Sequence, residues 1–207
     1  MSLKERRARE KIERRKQILD AARSLLFEKG LNATSMNQIA KQAEIGVGTI
    51  YFYYKSKEEL FAELQAEGLE LLYSKTKKAC YKEPEFTGKL RSAARVFLKF
   101  SKENKDYFDI INYFLSAPEQ IFTPNLKDQV DQHGNKVISL VEEILSEGVK
   151  SRVFKQIDSR RYSILFWATL YGLTNFKKLK NTILKGDNFN NLFEYSVDNF
   201  ISNLTAE

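Results

Sequence analysis

The chain has one cysteine and one histidine in 207 residues. Cys80 has no partner for an internal disulfide, so nothing ties the chain to an oxidising compartment. His133 lacks the second histidine or the cysteine that a metal site at such spacing needs, so no metal and no cofactor is expected. The phosphate-binding G-x-x-x-x-G-K, the nucleophile elbow G-x-S-x-G and the zinc motif H-E-x-x-H are all missing, and no carboxylate pair stands out from solvated helix faces. Catalysis is not expected. No apolar run approaches the ~18 residues of a membrane span; the longest, Ile164–Leu173, is broken by Thr169, Tyr171 and Gly172. The charged N-terminus has no apolar signal core, which makes the cytoplasm the expected location. Strand-type alternation is also absent over any useful length, and prolines number only three, so the fold class is read as all-α.

What the chain does have is a lopsided charge. The formal net charge is +7, and its distribution decides its meaning. Residues 1–57 hold thirteen Lys and Arg against six Asp and Glu, whereas the remaining residues hold twenty-one of each sign. The whole excess sits in the N-terminal quarter, as expected of one module that meets a polyanion.

That quarter contains the run TSMNQIAKQAEIGVGTIYFYYKSKEEL, Thr34–Leu60. Met36, Ile39, Ala40 and Ala43 recur at helical spacing, and Ser35 stands where its hydroxyl can cap the helix start. Glu44–Gly48 reads as a turn with Ile45 as a buried hook and a glycine for an unusual backbone angle. A short helix then starts at Val47 or Gly48 and runs through Tyr54, with Ile50 and Tyr54 inward and Thr49, Tyr51 and Tyr53 outward. Two short helices around a tight turn are the layout of a helix-turn-helix, whose second helix enters the DNA major groove.

At these residues the chain resembles the tetracycline-repressor (TetR) family of bacterial regulators. The matching positions are Thr34, Ser35, Ile39, Ala40, Ala43, Gly48, Thr49, Tyr51, Tyr53, Lys57, Glu58 and Leu60, with Ile18–Ala22 and Phe27-x-x-Gly30 upstream. Two departures stand in the turn: Glu44 replaces the family's usual glycine, and Gly46 replaces its usual serine, removing a cap or phosphate contact. The resemblance is close over the first third of the chain and extends beyond it only as a layout, including Ile144–Val149 near the end of a helix.

The expected organisation is a basic arm and helix-turn-helix domain over residues 1–57, with the helix-turn-helix itself at about 35–54, and a helical ligand-binding and dimerisation domain over 58–207. Helices are read over about 5–29, 56–80, 87–103, 105–116, 125–151, 159–179 and 187–203, besides the two short ones. Ser56 and Glu59 form a capping-box pattern at the start of the long fourth helix, which would join the two domains.

For DNA, Ser35, Lys55, Lys57, Tyr51 and Tyr53 are the candidates for phosphate contacts, and Asn37, Val47, Gly48 and Thr49 for base reading. The resemblance implies phosphate contacts at Tyr51, Tyr53 and Lys57. The ring of Tyr51 has an alternative place against the first helix. The arm Lys4–Lys16 carries eight basic and three acidic residues. It can follow a phosphate backbone, reach a minor groove or remain a solvated terminus.

The downstream helices are rich in aromatics, Phe122 among them, and most of these are expected in the core. The resemblance implies a small-molecule inducer site among them, for which Phe97, Phe108, Ile111, Phe114, Trp167, Tyr171 and Asn175 are the candidates and an apolar or aromatic compound the expected ligand. It also implies a two-fold homodimer built on the last two helices, with Tyr162, Leu165, Thr169, Leu173, Phe193, Val197 and Phe200 as candidate interface residues. The function expected is that of a homodimeric repressor, released from a palindromic DNA operator by such a ligand. The alternative is an architectural or protein-controlled DNA-binding factor.

Overall fold

A computed structural model describes residues 2–30, 32–116, 123–176 and 188–205, and all named elements among them are α-helices. The chain divides into two compact units. The first comprises Met1–Gly68 and Asp106–Val130, the second Leu69–Lys105 and Asp131–Glu207. The functional boundary proposed after residue 57 therefore does not coincide with the division between compact units, which falls inside a helix after Gly68.

In the first unit, α1 spans Leu3–Lys29, α2 Met36–Gln42, α3 Val47–Tyr53, and α4, Lys57–Tyr81, begins. Helix α1 opens with a capping box between Ser2 and Glu5 and closes at Gly30, whose φ of 76° only glycine takes readily. A second capping box starts α2: the Gln38 N–H donates to the Ser35 hydroxyl at 3.3 Å, and the Ser35 N–H donates to the Gln38 side chain at 2.9 Å. At α4 the Glu59 N–H donates to the Ser56 hydroxyl at 3.2 Å, while the Glu59 carboxylate accepts from the N–H one residue earlier, at Lys55. The core joins Ile18, Ala22 and Leu25 of α1 to Ile39, Ile50, Tyr54, Leu60, Phe61 and Leu64. Helix α6, Lys105–Ser116, adds Ile110 and Phe114, and Leu126 comes from the start of α7, Pro124–Lys150.

The turn between α2 and α3 departs from the sequence reading. Gly46 is ordinary extended backbone at φ −67°, ψ 143°, and the left-handed residue is Glu44, at φ 52°. Two hydrogen bonds hold it there: Glu44 N–H to the Lys41 carbonyl at 3.1 Å, and Ile45 N–H to the Ala40 carbonyl at 3.0 Å. This is the paired closure of a helix C-terminus, with the apolar residue after the left-handed one packing back on the core, as half-buried Ile45 does. The closure recurs at the end of α7. There Arg152, at φ 58°, donates to the Val149 carbonyl and Val153 to that of Gly148.

The second unit is built from the end of α4, α5 (Phe86–Glu103), most of α7, α8 (Ser159–Phe176) and α9 (Phe189–Ser202). Its interior is aromatic. Phe97 meets Trp167 and Tyr171 with ring centroids 5.7 and 4.7 Å apart, and Phe166 meets Phe200 at 5.4 Å. Gly148 lets the Phe154 ring lie against the α7 backbone; a Cβ there would come within 2.4 Å of two ring atoms. The expected end of the eighth helix near Leu179, the expected start at Asp187 and the side chain of Phe122 lie outside the described residues; the Asn188 side chain accepts the capping bond of α9.

Candidate nucleic-acid interface

A short helix cannot hold itself in place, because it forms too few hydrogen bonds to offset its ordering. The fixing of α3 comes from its inner face and a set of polar brackets. Ile50 and Tyr54 are buried in the first core. The Tyr54 hydroxyl donates to the Glu63 carboxylate at 2.9 Å, and the Arg15 guanidinium lies 4.9 Å from the Tyr54 ring centroid while pairing with the same carboxylate. Burial, reinforced by the Glu63 charge, pushes the Tyr54 hydroxyl well above its usual range, so it remains a proton donor. On the other side, the Gln17 amide donates to the Ala43 carbonyl at 2.6 Å and ties α1 to the turn.

With that face fixed, Val47, Gly48, Thr49, Tyr51 and Phe52 share the exposed side of α3. Tyr51 is 45% exposed, so its ring is not spent against α1. Phe52, at 71%, is the more exposed of the two. The sequence reading passed over it, because in the run Tyr-Phe-Tyr-Tyr only the register of the helix tells which ring faces out. Tyr53 is half-buried against the core and meets Phe52 edge-on at 5.2 Å. Ser35 and Asn37 stand exposed at the start of α2, with the Ser35 hydroxyl already engaged in its cap. The Lys55 ammonium lies 3.3 Å from the Tyr51 carbonyl, and that of Lys57 lies 5.7 Å from the Phe61 ring centroid. The structure thus gathers Val47, Gly48, Thr49, Tyr51 and Lys55 along one helix and its end, while Tyr53 is partly withdrawn.

Gly48 is the informative member. Glycine inside a helix costs about 1 kcal/mol relative to alanine. Yet its backbone needs no left-handed angle, and a Cβ built there meets nothing within 4 Å. The protein's own packing has no use for a glycine at this position.

The other two candidate sets are distributed as follows. Phe108, Ile111 and Phe114 are buried in the first unit, and Phe114 belongs to its core cluster. Phe97 and Trp167 are buried in the second, where Tyr171 is half-buried and Asn175 exposed on α8. Tyr162, Leu165, Thr169 and Phe200 line an open groove of about 580 Å³ between α8 and α9, joined by Tyr195 and Asn199. Leu165 is 53% and Tyr195 69% exposed on that face. Phe193 and Val197 face the other way and are buried within their own subunit, and Leu173 is half-buried. Helical spacing names both stripes of α9 without saying which one the subunit keeps for itself.

Comparison with known proteins places this geometry. The sequence profile described as "Bacterial regulatory proteins, tetR family" matches residues 18–64, which run from the first buried turn of α1 into α4. The chain is similar to the HTH-type transcriptional regulator YhgD of Bacillus subtilis, 29% identical over 71% of this chain and 75% of the relative. It is also similar to the fatty acid metabolism regulator protein of the same species, 25% identical over 74% and 78%. Among solved structures, the transcriptional regulator FadR of B. subtilis in complex with stearoyl-CoA shares the fold, with a TM-score of 0.69, 19% identity and coverage of 91% of this chain and 98% of that one.

Proposed function

We propose that this chain is a DNA-binding transcriptional regulator of the tetR family, a homodimeric repressor that leaves a palindromic operator when a largely apolar ligand binds. The observation that carries the DNA reading is the outer face of α3, where exposed Thr49, Tyr51 and Phe52 flank a glycine that the subunit itself does not need. Val47, Gly48 and Thr49 enter the major groove, with the Val47 and Thr49 methyls as partners for thymine methyls. The Tyr51 and Tyr53 hydroxyls, Lys55, Lys57 and the start of α2 at Ser35 and Asn37 hold phosphates. Its place of work is the cytoplasm.

The α8–α9 groove supports the dimer, because a face with Leu165 and Tyr195 both more than half exposed gains most by meeting its own copy across a two-fold axis. Two recognition helices can then fall one DNA turn apart, ~34–36 Å. For the ligand, the Trp167 indole N–H and the Thr76 hydroxyl of the second unit are buried with no hydrogen-bond partner among the described residues. Unsatisfied buried groups cost stability that a ligand's polar atom can recover. The solved complex of the B. subtilis regulator makes a long-chain acyl-CoA the first compound to try. Helix α4 offers a route for the signal, since it gives Leu60 and Phe61 to one unit and Leu69 and Leu72 to the other. A coupling of about 1–3 kcal/mol is typical of such switches.

The test begins with selection of bound sequences from randomised duplexes, which should return an inverted repeat. Gly48→Ala should then raise the melting temperature slightly and weaken operator binding at least tenfold. A variant that is both more stable and equally tight on the operator removes Gly48 from the interface. Stearoyl-CoA should lower operator affinity; unchanged affinity at saturating ligand rejects that compound as inducer.

A further inference from the structure

The basic arm is not a loose terminus. It is helical from Leu3, and residues 2–14 are exposed along their whole length. Helical spacing sorts its charges. Lys4, Arg7, Lys11 and Arg14 follow one another at intervals of three and four, so they share one face. The same register continues as Ile18, Ala21, Ala22 and Leu25, the buried face on which α1 carries the helix-turn-helix. One stripe of α1 is thus apolar where the module covers it and basic where it projects beyond, with Glu10 at its border.

The three acids of the arm are engaged elsewhere. Glu5 accepts from the Ser2 N–H at 2.8 Å, Glu10 pairs with Arg6 at 3.4 Å, and Glu13 pairs with Arg9 at 2.9 Å. The base of the stripe is also tied to the recognition turn. Arg14 donates to the Gln17 side-chain oxygen at 2.8 Å, and the Gln17 amide donates in turn to the Ala43 carbonyl.

We infer that the Lys4–Arg7–Lys11–Arg14 stripe is a second DNA contact, a rigid helical rail that follows the phosphate backbone beside the site read by α3. From Lys4 to Arg14 it spans roughly 15 Å of helix axis, alongside which a duplex carries roughly nine phosphate charges. The stripe has no amide or aromatic group to read a base edge, so it adds affinity and salt dependence without sequence preference. The inference rests on the reading of α3 as the specific contact.

The experiment compares full-length wild type with the triple variant Lys4→Gln, Arg7→Gln, Lys11→Gln by fluorescence anisotropy. Salt is titrated on the selected operator and on a 40-base-pair duplex of arbitrary sequence. Glutamine keeps the helix, and no core contact is lost, so circular dichroism and melting should match wild type. The slope of log K against log salt should fall by about 2–3 on both duplexes, with the preference for the operator preserved. The double variant Arg9→Gln, Glu13→Gln, a charge pair on the other side of the helix, should leave the slope unchanged.

An unchanged slope in the triple variant overturns the rail, as does an equal loss in the double variant. So does a triple variant that loses binding to vesicles containing phosphatidylserine but keeps its DNA slope. Failure of the α3 reading looks different: wild type would then prefer no selected sequence, whatever its salt slope.

Discussion

The two units solve different problems with the same helices. The first must hold a seven-residue helix still while leaving its outer face bare. It does so with short-range devices: capping boxes at Ser2 and Ser35, and the Arg15–Tyr54–Glu63 and Gln17–Ala43 brackets. Among the described residues, the second has longer helices, such as the 18 residues of α5 and the 14 of α9. It is held by large rings in contact, Phe97 on Trp167 and Tyr171, Phe166 on Phe200, and by the close approach of Phe154 to Gly148. Polar brackets specify position at little net stability, whereas aromatic burial contributes stability and is indifferent to what lies outside.

The contrast can be broken most directly at Phe97, which is fully buried. Phe97→Ala should cost about 3–5 kcal/mol, because a ring's contacts are lost and the cavity cannot close. Calorimetry should show that loss, while operator binding of the molecules still folded stays near wild type. A loss below about 1 kcal/mol would end the claim that aromatic packing carries the second unit. Gly148→Ala comes next, at about 1–3 kcal/mol, since the new methyl must displace the Phe154 ring or the α7 backbone. Unaltered urea denaturation in that variant would mean the ring can swing aside freely.

The first unit should respond in the opposite way, with small stability changes and large functional ones. Ser35→Ala removes one half of a capping box and should cost about 1 kcal/mol of stability. Its operator affinity should fall more than that loss explains if the start of α2 holds phosphates as proposed. Equal stability and function in this variant would erase the contrast from the other side. The smallest change sharpens it: Glu44→Gly should stabilise by about 0.5 kcal/mol, as relief of the left-handed strain outweighs the flexibility gained by the unfolded chain. A destabilised Glu44→Gly would show that the side chain itself holds the turn.

Much of the first unit was legible because its signals are local. Ser35 as a cap and Ser56 with Glu59 announce helix starts within a few residues, and both hydroxyls accept the bonds expected of them. The left-handed position was expected at a glycine of the turn because glycine is the cheapest occupant of that conformation, not the only one. Two backbone hydrogen bonds and the anchoring of Ile45 outweigh the strain at Glu44. On α9, Phe193, Val197 and Phe200 all look alike in the sequence. Only packing against α5 and α8 shows that the first two are spent inside the subunit, while Phe200 lines the groove.

Taken alone, the order of residues settled the all-helical class, the place of the helix-turn-helix and the concentration of positive charge around it. These follow from periodicity, capping chemistry and composition, which act over a few residues. The tertiary structure decided that Phe52 faces out while Tyr53 half-withdraws, that Gly48 has open space above it, and that the arm's basic stripe continues the buried face of α1. Each of these depends on which face of a helix its neighbours cover, and that is set by contacts between residues far apart in the chain.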